Sequence, residues 1–172
     1  MTEKPRYAVM PLGKQDRAAF HCGVRELDSY FLERASRDVR ERLSAVFILA
    51  TEDAPDSVLG YYTLSSLKVE TEELPEQLQK RTGRYREVGA TLIGRLAVSE
   101  QARGQGLGEF LLIDALKRAL ENSSAVASFA VVVDAKDHNV AAFYKRYGFL
   151  QLRGNRLFLP MRTVGQLFRP RS

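Results

Sequence analysis

Apolar residues recur along the chain in two rhythms. Continuous runs at Ala45–Thr51, Val58–Ser65, Val88–Val98 and Phe129–Val133 have the length and β-branched content of strands. The last has the unbroken character of a strand buried on both faces. Arg6–Leu12 predicts a first strand, ended by Pro11 and Gly13, and Leu157–Pro160 a last strand that closes the sheet. Elsewhere the period is close to four. Leu27, Phe31, Ala35, Val39 and Leu43 predict one helix, its stripe widened by Tyr30 and Leu32. Gly106–Glu121 predicts another, with Leu107, Phe110, Leu111, Asp114, Ala115 and Arg118 at helical spacing. A helical stretch is expected at Gln15–Phe20 and a turn at Glu52–Ser57. Glu70–Arg86 is polar and holds Pro75 and Gly83, which predicts a short helix and a mobile loop, read as a lid on the substrate side. Strands interleaved with helices predict an α/β fold whose sheet is flanked by helices on both faces, and 172 residues suit a single domain over 1–172.

One junction in this pattern carries chemistry. The run Arg95-Leu96-Ala97-Val98 enters a loop, Arg103-Gly104-Gln105-Gly106-Leu107-Gly108, from which a helix starts at once. Successive amides in such a loop form an anion-binding nest, and the helix adds the positive end of its dipole. A diphosphate fits that description. Two common phosphate loops are excluded by spacing. The dinucleotide pattern requires glycine three residues after Gly106, where Glu109 stands, and no Gly-Lys-Ser/Thr triplet occurs. A plain glycine-rich turn also satisfies the pattern taken alone.

A second cluster follows. The strand through Val133 breaks at Asp134, Asn139 is the expected N-cap, and a short helix carries Phe143, Tyr144 and Tyr147 before Gly148 stops it. Arg-x-x-Gly-x-Gly followed by Asp-Ala-x-Asp, Phe-Tyr and Gly-Phe, in that order, resembles the GNAT acetyltransferases. The resemblance implies a mixed, mostly antiparallel sheet and an acetyl-CoA site. There Leu96, Ala97 and Val98 bind the pantetheine arm through the main chain, Arg103 to Gly108 bind the diphosphate, and Asn139 and Phe143 lie beside the cofactor. It also implies that strands splay near Val98 and Val133, and that an amide near Val98 holds the oxyanion.

More narrowly, Phe20-x-Cys22-Gly23 with Leu27-Asp28-x-Tyr30, Gly60-Tyr61-Tyr62-Thr63-Leu64 and Gly94-Arg95 resemble the GNAT toxins of bacterial toxin–antitoxin pairs, of the TacT and AtaT type. These acetylate the amino group of aminoacyl-tRNA and are neutralised by a ribbon-helix-helix antitoxin. The resemblance implies a homodimer, and basic side chains at Arg34, Arg37, Arg84, Arg86 and Arg95 would suit a tRNA backbone. A GNAT acting on a small amine, an antibiotic or a protein N-terminus is the alternative, and a CoA-binding regulator without turnover is a third reading.

Composition bounds these readings. Net charge is +5, with 19 arginines against 7 lysines. That bias suits an anionic partner, and a genome that favours arginine codons gives it as well. The arginine face from Arg34 to Arg42 reads either as a solvated helix surface or as a phosphate-binding one. No apolar run reaches the ~18 residues of a membrane span, and Met1–Asp16 has no signal-peptide core, so a cytoplasmic protein is expected. Cys22 is the single cysteine. With only His21 and His138 beside it, no metal site is expected.

Transfer of an acetyl group from a thioester to an amine needs a neutral amine, a stabilised oxyanion and a proton for the departing thiolate. By the resemblance Tyr144 is the proton donor, a phenol of pKa ~10 that is neutral at pH 7. An aromatic that merely caps the pocket is the other reading, and Tyr147 is a rival on spacing. Phe143 and Tyr147, four apart, are expected to face the core. No general base is evident. An α-amino group of pKa ~7.7 is about 40% neutral at pH 7.5, whereas a lysine at ~10.4 is about 0.1% neutral. An aminoacyl ester therefore reacts without a dedicated base.

Overall fold

The computed structural model describes residues 3–170; positions 1, 2, 171 and 172, which the expected 1–172 domain includes, lie outside the described residues. The strands are β1 (Tyr7–Pro11), β2 (Ala45–Thr51), β3 (Gly60–Glu70), β4 (Glu87–Val98), β5 (Ala130–Asp134), β6 (Leu150–Gln151) and β7 (Arg156–Pro160). The helices are α1 (Arg25–Glu33), α2 (Ala35–Arg40), α3 (Glu76–Gln79), α4 (Leu107–Asn122), α5 (His138–Lys145) and α6 (Met161–Leu167). The fold is mixed α/β. Seven strands form one sheet in the order β1-β2-β3-β4-β5-β7-β6. β1–β2, β2–β3, β5–β7 and β6–β7 are antiparallel, whereas β4 and β5 are parallel over Thr91–Ile93 and Val131–Val133.

The backbone groups into two compact units, one running to Ser65 and including Gly94–Ala115, the other made of Ser66–Ile93 and the chain from Leu116 onward. The first is built on aromatic rings. Phe31 stacks on Tyr61 at 4.5 Å between centroids, and Phe20 meets both edge-on at 5.1 and 5.5 Å. Val46, Ile48, Ala50 and Ala97 complete that core. The second packs Val69, Leu74, Ala90, Ala130, Val132, Leu152 and Phe158 together.

Several sequence expectations are corrected. The Leu27–Leu43 helix is two helices, because Arg34 leaves helical geometry (φ −120°, ψ −24°). The second ends before Leu43: Arg42 takes a left-handed φ of 59°, and the amides of Leu43 and Ser44 close on the Asp38 carbonyl. Leu32, Val39 and Leu43 are exposed rather than part of an apolar stripe. Gln15–Phe20 is not helical. The Asp16 carboxylate accepts from the Ala18 amide, and this local bond competes with a helix. In α4 the buried stripe is Leu107, Leu111, Leu112, Ala115, Leu116 and Ala119, with Phe110 outside it. Glu70–Arg86 holds two 3₁₀ turns around α3. β7 does not close the sheet, since the two-residue β6 lies beyond it, and the tail forms α6.

Burial makes this fold sensitive to alkali. Desolvation pushes the Cys22 thiol up from 9.0 to about 11 and the Tyr30 phenol from 10.0 to about 12, each helped by a carboxylate, Asp28 and Asp38 respectively. Burial also raises Tyr61 and Tyr144. Above pH 9 the unfolded chain therefore sheds protons that the folded chain retains, so stability falls as pH rises. Urea midpoints should stay level through pH 8 and drop progressively from pH 9 to pH 11. A level midpoint to pH 11 contradicts this assignment.

Candidate functional site

In the first unit the end of β4 leads into the glycine loop. The Ser99 amide donates to the Leu59 carbonyl at 2.8 Å, a 3₁₀ turn covers Glu100–Ala102, and Leu107 is buried where α4 starts. Gly104 and Gly106 both lie in the left-handed region, at φ 80° and 73°. A Cβ at either would meet nothing within 4 Å, so the backbone conformation, not crowding, requires glycine there. Among the described residues the amides of Gly104, Gln105, Gly106, Leu107 and Gly108 have no acceptor, and the first bond into the helix runs from Phe110 to Gly106 at 3.1 Å. These donors lie at the N-terminus of a 16-residue helix, a setting that favours an anion.

Other side chains of the predicted cofactor set have local partners. Gln105 Oε1 accepts from the Tyr7 hydroxyl at 2.8 Å. Arg103 donates to the Cys22 carbonyl and lies 3.9 Å from Glu100. On β4, Ala97 is buried, and Leu96 and Val98 are half-buried. Within the second unit, β4 and β5 pair in parallel at Thr91–Ile93 and Val131–Val133.

The second unit places Tyr144 on α5. Asp137, not Asn139, caps this helix by accepting from the Val140 amide at 2.9 Å, so Asn139 is an exposed residue of the first turn. Either residue type caps well; the helix begins one residue earlier than Asn139. The Tyr144 ring is buried, 6% exposed, with Phe143 and Phe149 edge-on at 5.1 and 5.3 Å. Its hydroxyl makes no hydrogen bond among the described residues. No buried polar side-chain atom there lacks a partner, so that hydroxyl retains access to solvent. Burial raises its pKa, which keeps it protonated well beyond neutrality. Phe143 and Tyr147, expected in the core, are half-buried and contact each other at 5.4 Å; the core-facing ring is Tyr144. At the end of β5, Asp134 accepts two bonds from Arg156, at 2.8 and 3.1 Å.

The predicted basic residues are placed unequally. Arg95 is half-buried with its guanidinium 3.4 Å above the Tyr30 ring, and Arg34 lies 5.1 Å from the same ring. Arg37 is exposed. In the other unit Arg84 and Arg86 are exposed, and Arg86 shares a cavity of about 390 Å³ with Glu70, Thr71, Glu72 and Glu87. The tie between Arg103 and Cys22 was missed by sequence reasoning. No local pattern signals a bond between residues 81 positions apart.

Residues 44–151 match the model of the acetyltransferase (GNAT) domain. Among curated proteins, the chain is 29% identical over 163 residues to one named "Probable toxin TacT" from Sinorhizobium fredii, covering 90% of each. It is 29% identical over 134 residues to a "tRNA-acetylating toxin" from Mycobacterium tuberculosis, covering 78% of each. Among solved structures, AtaT complexed with acetyl-methionyl-tRNAfMet aligns with a TM-score of 0.87 at 28% identity, over 95% of this chain and 99% of that one. A tyrosine-to-phenylalanine mutant of AtaT bound to the C-terminus of the antitoxin AtaR and acetyl-CoA aligns at 0.80 and 27% identity, over 94% and 97%.

Proposed function

Since the chain belongs to the acetyltransferase (GNAT) family, we propose that it transfers acetyl from acetyl-CoA to the α-amino group of aminoacyl-tRNA, as the translation-blocking toxin of a toxin–antitoxin pair. The carrying observation is the glycine loop after β4, with two left-handed residues and a row of acceptor-free amides at the α4 N-terminus. Those amides fit the diphosphate of coenzyme A, which exposes no hydrogen atoms and needs donors. When bound, acetyl-CoA supplies the activated acetyl thioester. Leu96, Ala97 and Val98 offer main-chain groups to the pantetheine arm, as an added strand would. By the family resemblance, Asn139 and Phe143 would contact the cofactor. Tyr144, protonated at working pH, would give its proton to the departing sulfur, while the proton lost by the acceptor nitrogen would pass to solvent, from which the phenol is restored. The acceptor amine attacks in its neutral form, which an α-amino ester populates without a base.

The acceptor is supported by the curated relative named as tRNA-acetylating and by the tRNA-bound neighbour. An antitoxin partner is supported by the AtaR complex; its ribbon-helix-helix type and a homodimer complete the proposal. The enzyme works in the cytoplasm, where charged tRNA resides; no helix among the described residues is long and apolar enough to cross a membrane.

Salt tests the polyanionic acceptor. If Arg34, Arg37, Arg84 and Arg86 each neutralise one phosphate, KM for aminoacyl-tRNA should rise on the order of a hundredfold between 50 and 200 mM salt, with kcat unchanged. Replacing Arg84 and Arg86 by glutamine should roughly halve that logarithmic slope. A KM indifferent to salt contradicts the tRNA reading.

A further inference from the structure

The segment Phe20–Gly23 takes no part in the proposed chemistry, yet two hydrogen bonds join it to the stretch that leads into the glycine loop. The Glu100 amide donates to the His21 carbonyl at 2.8 Å. The Arg103 guanidinium donates to the Cys22 carbonyl. At Gly23, φ is +90°, and a Cβ there would fall 2.6 Å from Arg103 Nη2 and 2.7 Å from Glu100 Oε1. The turn is itself anchored. The Cys22 amide donates to Asp28 Oδ1 at 2.9 Å on α1, and Phe20 is locked between Phe31 and Tyr61.

We infer that the His21–Gly23 turn is a clasp that fixes the path of the chain into Gly104, which makes Gly23, Asp28 and Arg103 positioning residues for the diphosphate cradle. This rests on the reading of that loop as the acetyl-CoA site. Arg103 is the residue before Gly104, so the clasp sets the direction from which the left-handed residues start. The ion pair with Glu100, exposed on both sides and 3.9 Å long, contributes little. The charge-assisted bond to a carbonyl is directional and carries the constraint. A loop held in one conformation before binding loses less freedom when its amides close on an anion. Arg103 thus acts through the backbone, with its guanidinium engaged by Cys22. A side chain at 23 would push aside the ends of Arg103 and Glu100 and would be strained by the left-handed φ.

The test is a double-mutant cycle on coenzyme A affinity, measured by calorimetry for the wild type, Gly23→Ala, Arg103→Ala and the double variant. Each single variant should weaken coenzyme A by about tenfold, the lower end for a lost charge-assisted bond. The double variant should lose less than the sum of the two single losses, because the contact with the guanidinium is gone, although the left-handed φ at 23 and the approach to Glu100 remain. Transfer from acetyl-pantetheine, which has no diphosphate, should keep its kcat/KM in Gly23→Ala. Asp28→Ala, which frees the Cys22 amide without touching Gly23, should also weaken coenzyme A and spare acetyl-pantetheine; it decides the matter if Gly23→Ala does not fold. Additive losses in the cycle, equal losses with both donors, or undiminished coenzyme A binding would each overturn the clasp. A wild-type protein that binds no coenzyme A removes the cradle reading itself, and the clasp with it.

Discussion

Tyr144→Phe is expected to lower kcat by about 10²- to 10⁴-fold, the usual contribution of a positioned proton donor, with coenzyme A affinity within twofold of wild type. The substitution removes one oxygen and leaves the ring between Phe143 and Phe149, so packing and stability should be preserved. The pH profile checks the same assignment. Burial raises the Tyr144 pKa above its ordinary value of 10.0, so the donor stays protonated across the working range. kcat/KM should therefore rise through pH 7–8 as the acceptor amine loses its proton, with no alkaline decline before pH 10. In cells the variant should relieve the growth arrest caused by the wild type. Full activity in Tyr144→Phe, or an alkaline decline near pH 8, would remove Tyr144 from the role of acid.

The second large effect is expected at Gly106. Asparagine and aspartate tolerate a left-handed backbone better than other side chains, and a Cβ at this position meets nothing within 4 Å. Gly106→Asn and Gly106→Asp should therefore both fold, with similar melting temperatures. They differ in charge. A carboxylate beside the diphosphate should weaken coenzyme A by about a hundredfold or more, since juxtaposed like charges cost several kcal/mol. The amide should cost much less. Equal affinities for the two variants would mean that no phosphate approaches this loop.

What the sequence made legible was short-range. Runs such as Ala45–Thr51 and Phe129–Val133 became strands because their apolar content leaves no other way to bury them. The strand, glycine loop and helix at 94–122 could be read because each signal is local: an apolar run, two positions that need glycine, and an amphipathic period. The break at Arg34 could not. The four-residue period runs straight through it, yet Phe31 before the break and Ala35 after it are both buried, whereas Val39 and Leu43 are exposed. Asp137 and Asn139 are both good caps two residues apart, and the choice depends on where the helix meets its surroundings. β6 is two residues long, too short for any period. The hold of Cys22 on Arg103 spans 81 positions and follows from the tertiary fold alone. At Tyr144 the residue was legible from its motif, but the burial of its ring was not, since Phe143 and Tyr147 fit a core-facing pair equally well.

The central claim is a new amide on the α-nitrogen of an aminoacyl ester, and mass spectrometry of the product tests it most directly. Purified protein would be incubated with labelled acetyl-CoA and a mixture of charged tRNAs, the RNA digested, and the aminoacyl-adenosines weighed. One or more should gain an acetyl group carrying the label, and an equimolar free lysine or polyamine should gain none. Label appearing only on the free amines, with every aminoacyl-adenosine unchanged, would contradict the account.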